Sequence, residues 1–127
     1  MKFSFDLDGV CYERPEVFAA MARALQAAGH EVGVLSGHRQ ESGERVLAKL
    51  ESLGFPRMDF YFGRRPGDMD KNGAVRKSRV IAAEGIALHF DDYDFDHPDT
   101  ERLFRELGQE VSVARIRSTE RREWSTS

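Results

Sequence analysis

Phe3-Ser4-Phe5-Asp6-Leu7-Asp8-Gly9-Val10 ends a short apolar strand in two carboxylates two positions apart and then turns on a glycine. Alternate residues of a strand point the same way. Asp6 and Asp8 would therefore crowd each other unless the backbone leaves extended geometry at Gly9, where positive φ is inexpensive. Two like charges held that close need a cation, and neighbouring acids push each other's pKa apart, so that one stays ionised while the other keeps a proton. An Asp-rich turn after a strand is also ordinary loop chemistry. The pair gains meaning only from what the rest of the chain brings to it.

Outward from this stretch, strand and helix patterns alternate along the 127 residues, as in an α/β domain with a largely parallel sheet. Strands are predicted at 2–7, 31–36, 59–62, 86–90 and 111–116, and helices at 15–28, 40–53, 73–84 and 98–107. The first helix opens on Pro15, carries Val17, Phe18, Met21, Ala24, Leu25 and Ala28 as its apolar face and stops at Gly29. Val46, Leu47, Leu50 and Leu53 form the stripe of the second. Right-handed crossovers between such strands give a three-layer sandwich around a five-stranded, mostly parallel sheet. Ligands bind such sheets beyond the carboxyl ends of the strands, where strand order reverses.

Composition bounds the remaining possibilities. With 40% hydrophobic and 32% charged residues the chain reads as a soluble globular protein, one domain over 1–117 followed by a polar extension at 118–127. No apolar run is long enough to span a bilayer and the first residues lack a signal-peptide pattern, so a cytoplasmic location is expected. Cys11 is the only cysteine, which excludes an internal disulfide, and it is assigned no role. A net charge of −3 argues against wholesale attraction to nucleic acid but leaves room for local basic patches.

The predicted strand ends collect further polar residues: Val34-Leu35-Ser36-Gly37-His38 after the second and His89-Phe90-Asp91-Asp92 after the fourth. Asp6-Leu7-Asp8-Gly9-Val10 resembles the first motif of the haloacid dehalogenase-like superfamily of phosphohydrolases, Asp-x-Asp-Gly-Thr/Val. The resemblance implies that Asp6 attacks phosphorus to form an aspartyl-phosphate and that Asp8 is the general acid and base. Ser36 resembles the second motif, a hydroxyl that hydrogen-bonds a phosphate oxygen, and Gly37 is expected to let the chain approach closely. Lys77 fits the third motif, a cation balancing carboxylates and phosphoryl group, with Arg76 and Lys71 as alternatives. Asp91 and Asp92 resemble the fourth, an acidic pair that completes a Mg²⁺ site with Asp6 and the Asp8 carbonyl; Asp96, at the family's other spacing, competes with Asp92 as the partner of Asp91. Mg²⁺ suits such a set of oxygen ligands.

Within the superfamily the likeness extends to the phosphatase domain of phage polynucleotide kinases, through residues 34–43 and 64–71. It implies phosphomonoesters such as nucleic acid 3′-phosphate ends as substrates, with Gly37, His38, Arg39, Arg64 and Arg65 against them; a cap is not expected, because Cys11 to Arg14 and Arg64 to Asn72, where members of the superfamily insert one, are only loops. The chain departs from that pattern in placing His38 where Ser-Gly-Arg is usual, and it has no Gly-x-x-x-x-Gly-Lys-Ser/Thr loop, so kinase activity is not implied. A nucleotide or sugar phosphatase and a non-catalytic phosphate-binding regulatory module are the alternatives. A receiver domain of similar length fails where the third strand ends Tyr61-Phe62-Gly63 without an acceptor Asp and the fifth ends Ala114-Arg115-Ile116 without a Lys.

Overall fold

Phe3 and Phe5 alternate with Lys2 and Ser4 in β1 (Lys2–Phe5), which pairs in parallel on both sides. The computed structural model describes residues 1–67, 73–92 and 112–115. The predicted helix at 98–107, the 118–127 extension, Lys71 and Asp96 lie outside them. The order along the chain is β1, α1 (Pro15–Ala27), β2 (Glu31–Arg39), α2 (Gly43–Ser52), β3 (Tyr61–Arg64), α3 (Gly73–Glu84), β4 (Ile86–Asp91) and β5 (Ser112–Arg115). The strands lie side by side as β3-β2-β1-β4-β5, all parallel. Chain order therefore reverses between β1 and β4, where Phe5 stands opposite Phe90.

Helices cover both faces of the sheet, which a parallel sheet requires. Val34 and Leu35 are adjacent in β2 and so face opposite ways. Val34 joins the core that α1 and α2 complete with Phe18, Ala22, Val46, Leu47 and Leu50, whereas Leu35 packs with Ile81 of α3 and Ile86. Phe18 is the anchor of α1. Its ring meets Phe5 and Phe90 edge-on, at 5.1 and 5.9 Å between centroids, and those two meet each other at 5.4 Å. Edge-to-face pairs of this kind contribute about 0.5–1.5 kcal/mol each beyond burial. This trio joins β1 to β4 immediately beneath Asp6 and Asp91.

The capture of Phe18 also corrects the expected apolar face of α1. Phe18, Ala19 and Ala22 are buried with Met21 and Leu25 beside them, while Val17, Ala24 and Ala28 are exposed. Both α1 and α2 end in the paired hydrogen bonds of a Schellman motif: His30 and Gly29 donate to Leu25 and Gln26, and Phe55 and Gly54 to Leu50 and Glu51. Among the described residues no helix is long and apolar enough to cross a membrane.

β2 runs to Arg39, three residues beyond its expected end at Ser36. Its ladder with β3 breaks after Leu35↔Phe62 and resumes at Arg39↔Arg64. The Gln40 side chain fills the break, accepting the Gly63 N–H at 2.6 Å and donating to the Tyr61 carbonyl at 3.1 Å, while the Tyr61 hydroxyl donates to the Arg39 carbonyl. The close approach falls on Gly63, where a Cβ would sit 2.7 Å from the His38 carbonyl oxygen and 2.8 Å from the Gln40 nitrogen. Gly37, expected to let the chain approach substrate, has nothing within 4 Å of a Cβ and so is not constrained by the packing of the chain itself. Urea unfolding should separate the two: Gly63→Ala should lose about 1–3 kcal/mol through overpacking, and Gly37→Ala should stay within about 0.5 kcal/mol of the parent. Equal effects would contradict this placement of the constraint.

Candidate functional site

The stretch after β1 places its two carboxylates in opposite environments. Asp6 is extended, with φ −74° and ψ 163°, and its N–H donates to the Phe90 carbonyl at 2.9 Å, so the β1–β4 pairing continues one residue beyond the strand. A wide π-type turn over Leu7–Cys11 follows, in which Leu7, Val10 and Cys11 enter the core. The sharp change of direction is made at Gly9, with φ 79°. A Cβ at this glycine would overlap the Asp92 carboxyl group, so Gly9 supplies both the turn and the space for Asp92. As a result Asp6 is 7% exposed, while the side chain of Asp8 is 65% exposed. The expected crowding of Asp6 against Asp8 is thus relieved by the turn, and it is Asp91 and Asp92 that approach Asp6.

Lys77 of α3 carries the charge balance. Its buried ammonium lies 3.1 Å from Asp6 Oδ1 and 2.8 Å from Asp91 Oδ2. Asp91 receives more help: His89 Nε2 is 2.7 Å from the same Oδ2, and the Asp92 N–H donates to Oδ1 at 2.8 Å. His89 Nδ1 lies 2.7 Å from Ser4 Oγ, so one neutral tautomer satisfies both contacts, accepting from Ser4 and donating to Asp91. The pKa directions follow. Burial opposes both charges, but Lys77 and His89 hold the Asp91 carboxyl down at about 2, whereas for Asp6 burial outweighs Lys77 and the nearby Asp91 adds to it, raising its carboxyl to about 6.

One oxygen each from Asp6, Asp91 and Asp92 lies within 4.8 Å of the others, a grouping that can hold a metal ion. The donors are all carboxylate oxygens, and among the described residues they outnumber the Lys77 ammonium that contacts Asp6 and Asp91. Such a hard, anionic set fits a divalent cation of the Mg²⁺ or Ca²⁺ kind better than one favouring sulfur or imidazole. The Asp8 side chain is not in this group and meets His38 Nε2 at 2.9 Å; the ligand expected from Asp8 is its backbone carbonyl.

Two consecutive residues of α3 serve different partners, because successive helical side chains are turned by about 100°. Lys77 reaches the carboxylates; Arg76, also buried, donates to the Ser36 carbonyl at the end of the β2 core segment. Ser36 is itself fully buried, and its Oγ accepts the His38 N–H at 3.2 Å. Beyond it β2 and β3 frame an open cleft of about 670 Å³ lined by Gly37, His38, Arg39 and Arg64, together with Glu41, Ser42 and Arg45. Arg65, expected against substrate, is exposed and is not among the lining residues.

No motif in the sequence marks Ser4, His89 or Arg45. A period-two signal was present for the first two, since His89 and Asp91 share a face of β4 and Ser4 is the polar residue between two phenylalanines of β1. Cys11 is buried in the core and burial pushes its thiol pKa up, in keeping with a packing residue. No protein-family model, curated protein or solved structure matches the chain.

The raised Asp6 carboxyl makes a signed prediction for the metal-free protein. Between its ordinary value of 3.8 and about 6 the folded state keeps a proton that the unfolded state has lost, so stability falls as pH rises through that window. At about 1.4 kcal/mol per unit the loss has an upper bound of about 3 kcal/mol. Asp6→Asn should therefore melt above the parent at pH 8 in chelator, and that advantage should shrink towards pH 4. A variant that melts lower at pH 8 than at pH 4, relative to the parent, would contradict the assignment.

Proposed function

We propose that this chain is a divalent-cation-dependent phosphomonoester hydrolase of the haloacid dehalogenase-like kind, with Asp6 as nucleophile and Asp8 as general acid and base. The observation that carries the reading is a buried carboxylate at the point where strand order reverses, held by Lys77 beside Asp91 and Asp92, with a second carboxylate two residues on left exposed to solvent. Proton transfer to a leaving alcohol and from water needs an accessible acid, and attack on phosphorus needs a fixed, ionised one. The strand order and the helices on both faces support the three-layer fold of that superfamily. Only residues 12–14 separate the Leu7–Cys11 turn from α1, which supports an uncapped site there. Phosphomonoesters whose bulk remains outside, nucleic acid 3′ ends among them, suit such a site.

In the first step an Asp6 carboxylate oxygen attacks phosphorus in line, the bond from phosphorus to the alcohol oxygen breaks, and that oxygen takes a proton from Asp8. In the second, Asp8 accepts a proton from water as the water oxygen attacks phosphorus. The bond from phosphorus to Asp6 then breaks and inorganic phosphate leaves, with Asp6 ionised and Asp8 protonated again. Lys77 favours the ionised form of Asp6 and faces the charge of the phosphoryl oxygens, and the Ser36 hydroxyl donates to one of them while still accepting the His38 N–H. Asp6, Asp91 and Asp92 would hold Mg²⁺, which supplies Lewis acidity and offsets the repulsion between carboxylate and phosphate.

Hydrolysis of a panel of phosphomonoesters with Mg²⁺ and with chelator tests the reading. Asp6→Asn should lower kcat by at least about a thousandfold, and near-parental turnover would refute the nucleophile. Mg²⁺ at millimolar concentration should raise the melting temperature by mass action, and Asp91→Ala should abolish the rise. A full Mg²⁺ response in Asp91→Ala would contradict the ligand set.

A further inference from the structure

We propose that the cleft between β2 and β3 is a subsite for a second phosphate, carried by the alcohol that leaves in the reaction. The inference rests on the assignment of Asp8 as the acid that protonates that alcohol. His38 belongs to both places: its Nε2 is 2.9 Å from Asp8 Oδ2, and the residue lines the cleft. The cleft therefore begins one side chain from the group that meets the leaving oxygen, and what occupies it is part of the leaving group.

The chemistry of the cleft selects an anion. Arg39, Arg45 and Arg64 line it against the single carboxylate of Glu41, in a chain whose formal charge is −3. Arg39 and Arg64 are register partners on neighbouring strands. Like charges side by side in a sheet repel, and an anion between them converts that repulsion into attraction. The contacts that now occupy these arginines are exposed and weak: Arg39 meets Glu41 at 3.3 Å and Arg45 meets Ser42 Oγ at 3.3 Å. Guanidinium groups bind phosphate through paired, directional N–H donors, which a phosphate entering the cleft would recruit. The cleft, at about 670 Å³, has room for a nucleotide-sized group.

The second phosphate can be a terminal monoester on a small molecule or the phosphodiester of a strand end. A nucleoside 3′-monophosphate, the matching 3′,5′-bisphosphate and a short oligonucleotide 3′-phosphate separate these sources. With the Mg²⁺-loaded protein, kcat/KM for the bisphosphate, the oligonucleotide or both should exceed that for the monophosphate by about tenfold or more, as charge-assisted contacts provide. The better of the two identifies the source. Arg39→Ala with Arg64→Ala, and independently Arg45→Gln, should bring that ratio towards one. Equal efficiency on all three substrates, or a ratio untouched in both variants, would overturn the subsite. If no substrate is turned over, the phosphatase reading fails, and calorimetric binding to Asp6→Asn then decides the cleft: the bisphosphate should bind about tenfold tighter than the monophosphate, and equal affinity would overturn it.

Discussion

The buried ammonium of Lys77, between Asp6 and Asp91, is the interaction on which the arrangement of this domain turns. Charges removed from water must be met by partners, and losing one partner leaves the others uncompensated. Three chain segments are tied together by this one group: the end of β1, the end of β4 and the first half of α3. The apolar structure around it is disposed to keep it in register. Phe5, Phe18 and Phe90 fasten β1 to β4 one residue before the two carboxylates, and Ile81, one turn after Lys77, packs α3 on the opposite face of the sheet. Asp91 is further braced by His89, which Ser4 orients from β1.

The compensation is unequal, and the inequality has chemical content. Asp91 has Lys77, His89 and the Asp92 amide; Asp6 has Lys77 and a repelling neighbour. The carboxylate proposed to react is thus the one that the fold holds at a cost to stability, while the more strongly held one is suited to ligate. A divalent cation among Asp6, Asp91 and Asp92 would relieve the Asp6 deficit directly. Asp8 escapes the problem because the turn at Gly9 sends it to solvent and to His38.

The positions of β1, β2, β4 and the first three helices were legible because a parallel sheet covered on both faces demands apolar runs, and these stand out between glycines and charged loops; β3 lies two residues later than expected, at Tyr61–Arg64. The strand-end placement of Asp6 and Asp91 followed from the same pattern. What the pattern did not contain was rotation and extension. The buried face of α1 differs from the expected one because Val17 and Phe18 are both apolar, and only the rings of Phe5 and Phe90 decide which one turns inward. β2 outruns its expected end at Ser36 because Gly-His-Arg carries no strand signal; a side-chain amide, Gln40, sustains the strand there. The choice between Arg76 and Lys77 is a matter of helical phase, and the Ser4–His89 contact joins residues 85 positions apart.

A nucleophilic Asp6 becomes covalently phosphorylated during turnover. Rapid quenching with sodium borohydride, which reduces an aspartyl-phosphate to homoserine, followed by peptide mass spectrometry, detects that intermediate. Homoserine is expected at position 6, dependent on substrate and on Mg²⁺ and more abundant in Asp8→Asn, where the second step lacks its base. Steady hydrolysis with Asp6 unmodified at every quench time would contradict a nucleophilic Asp6.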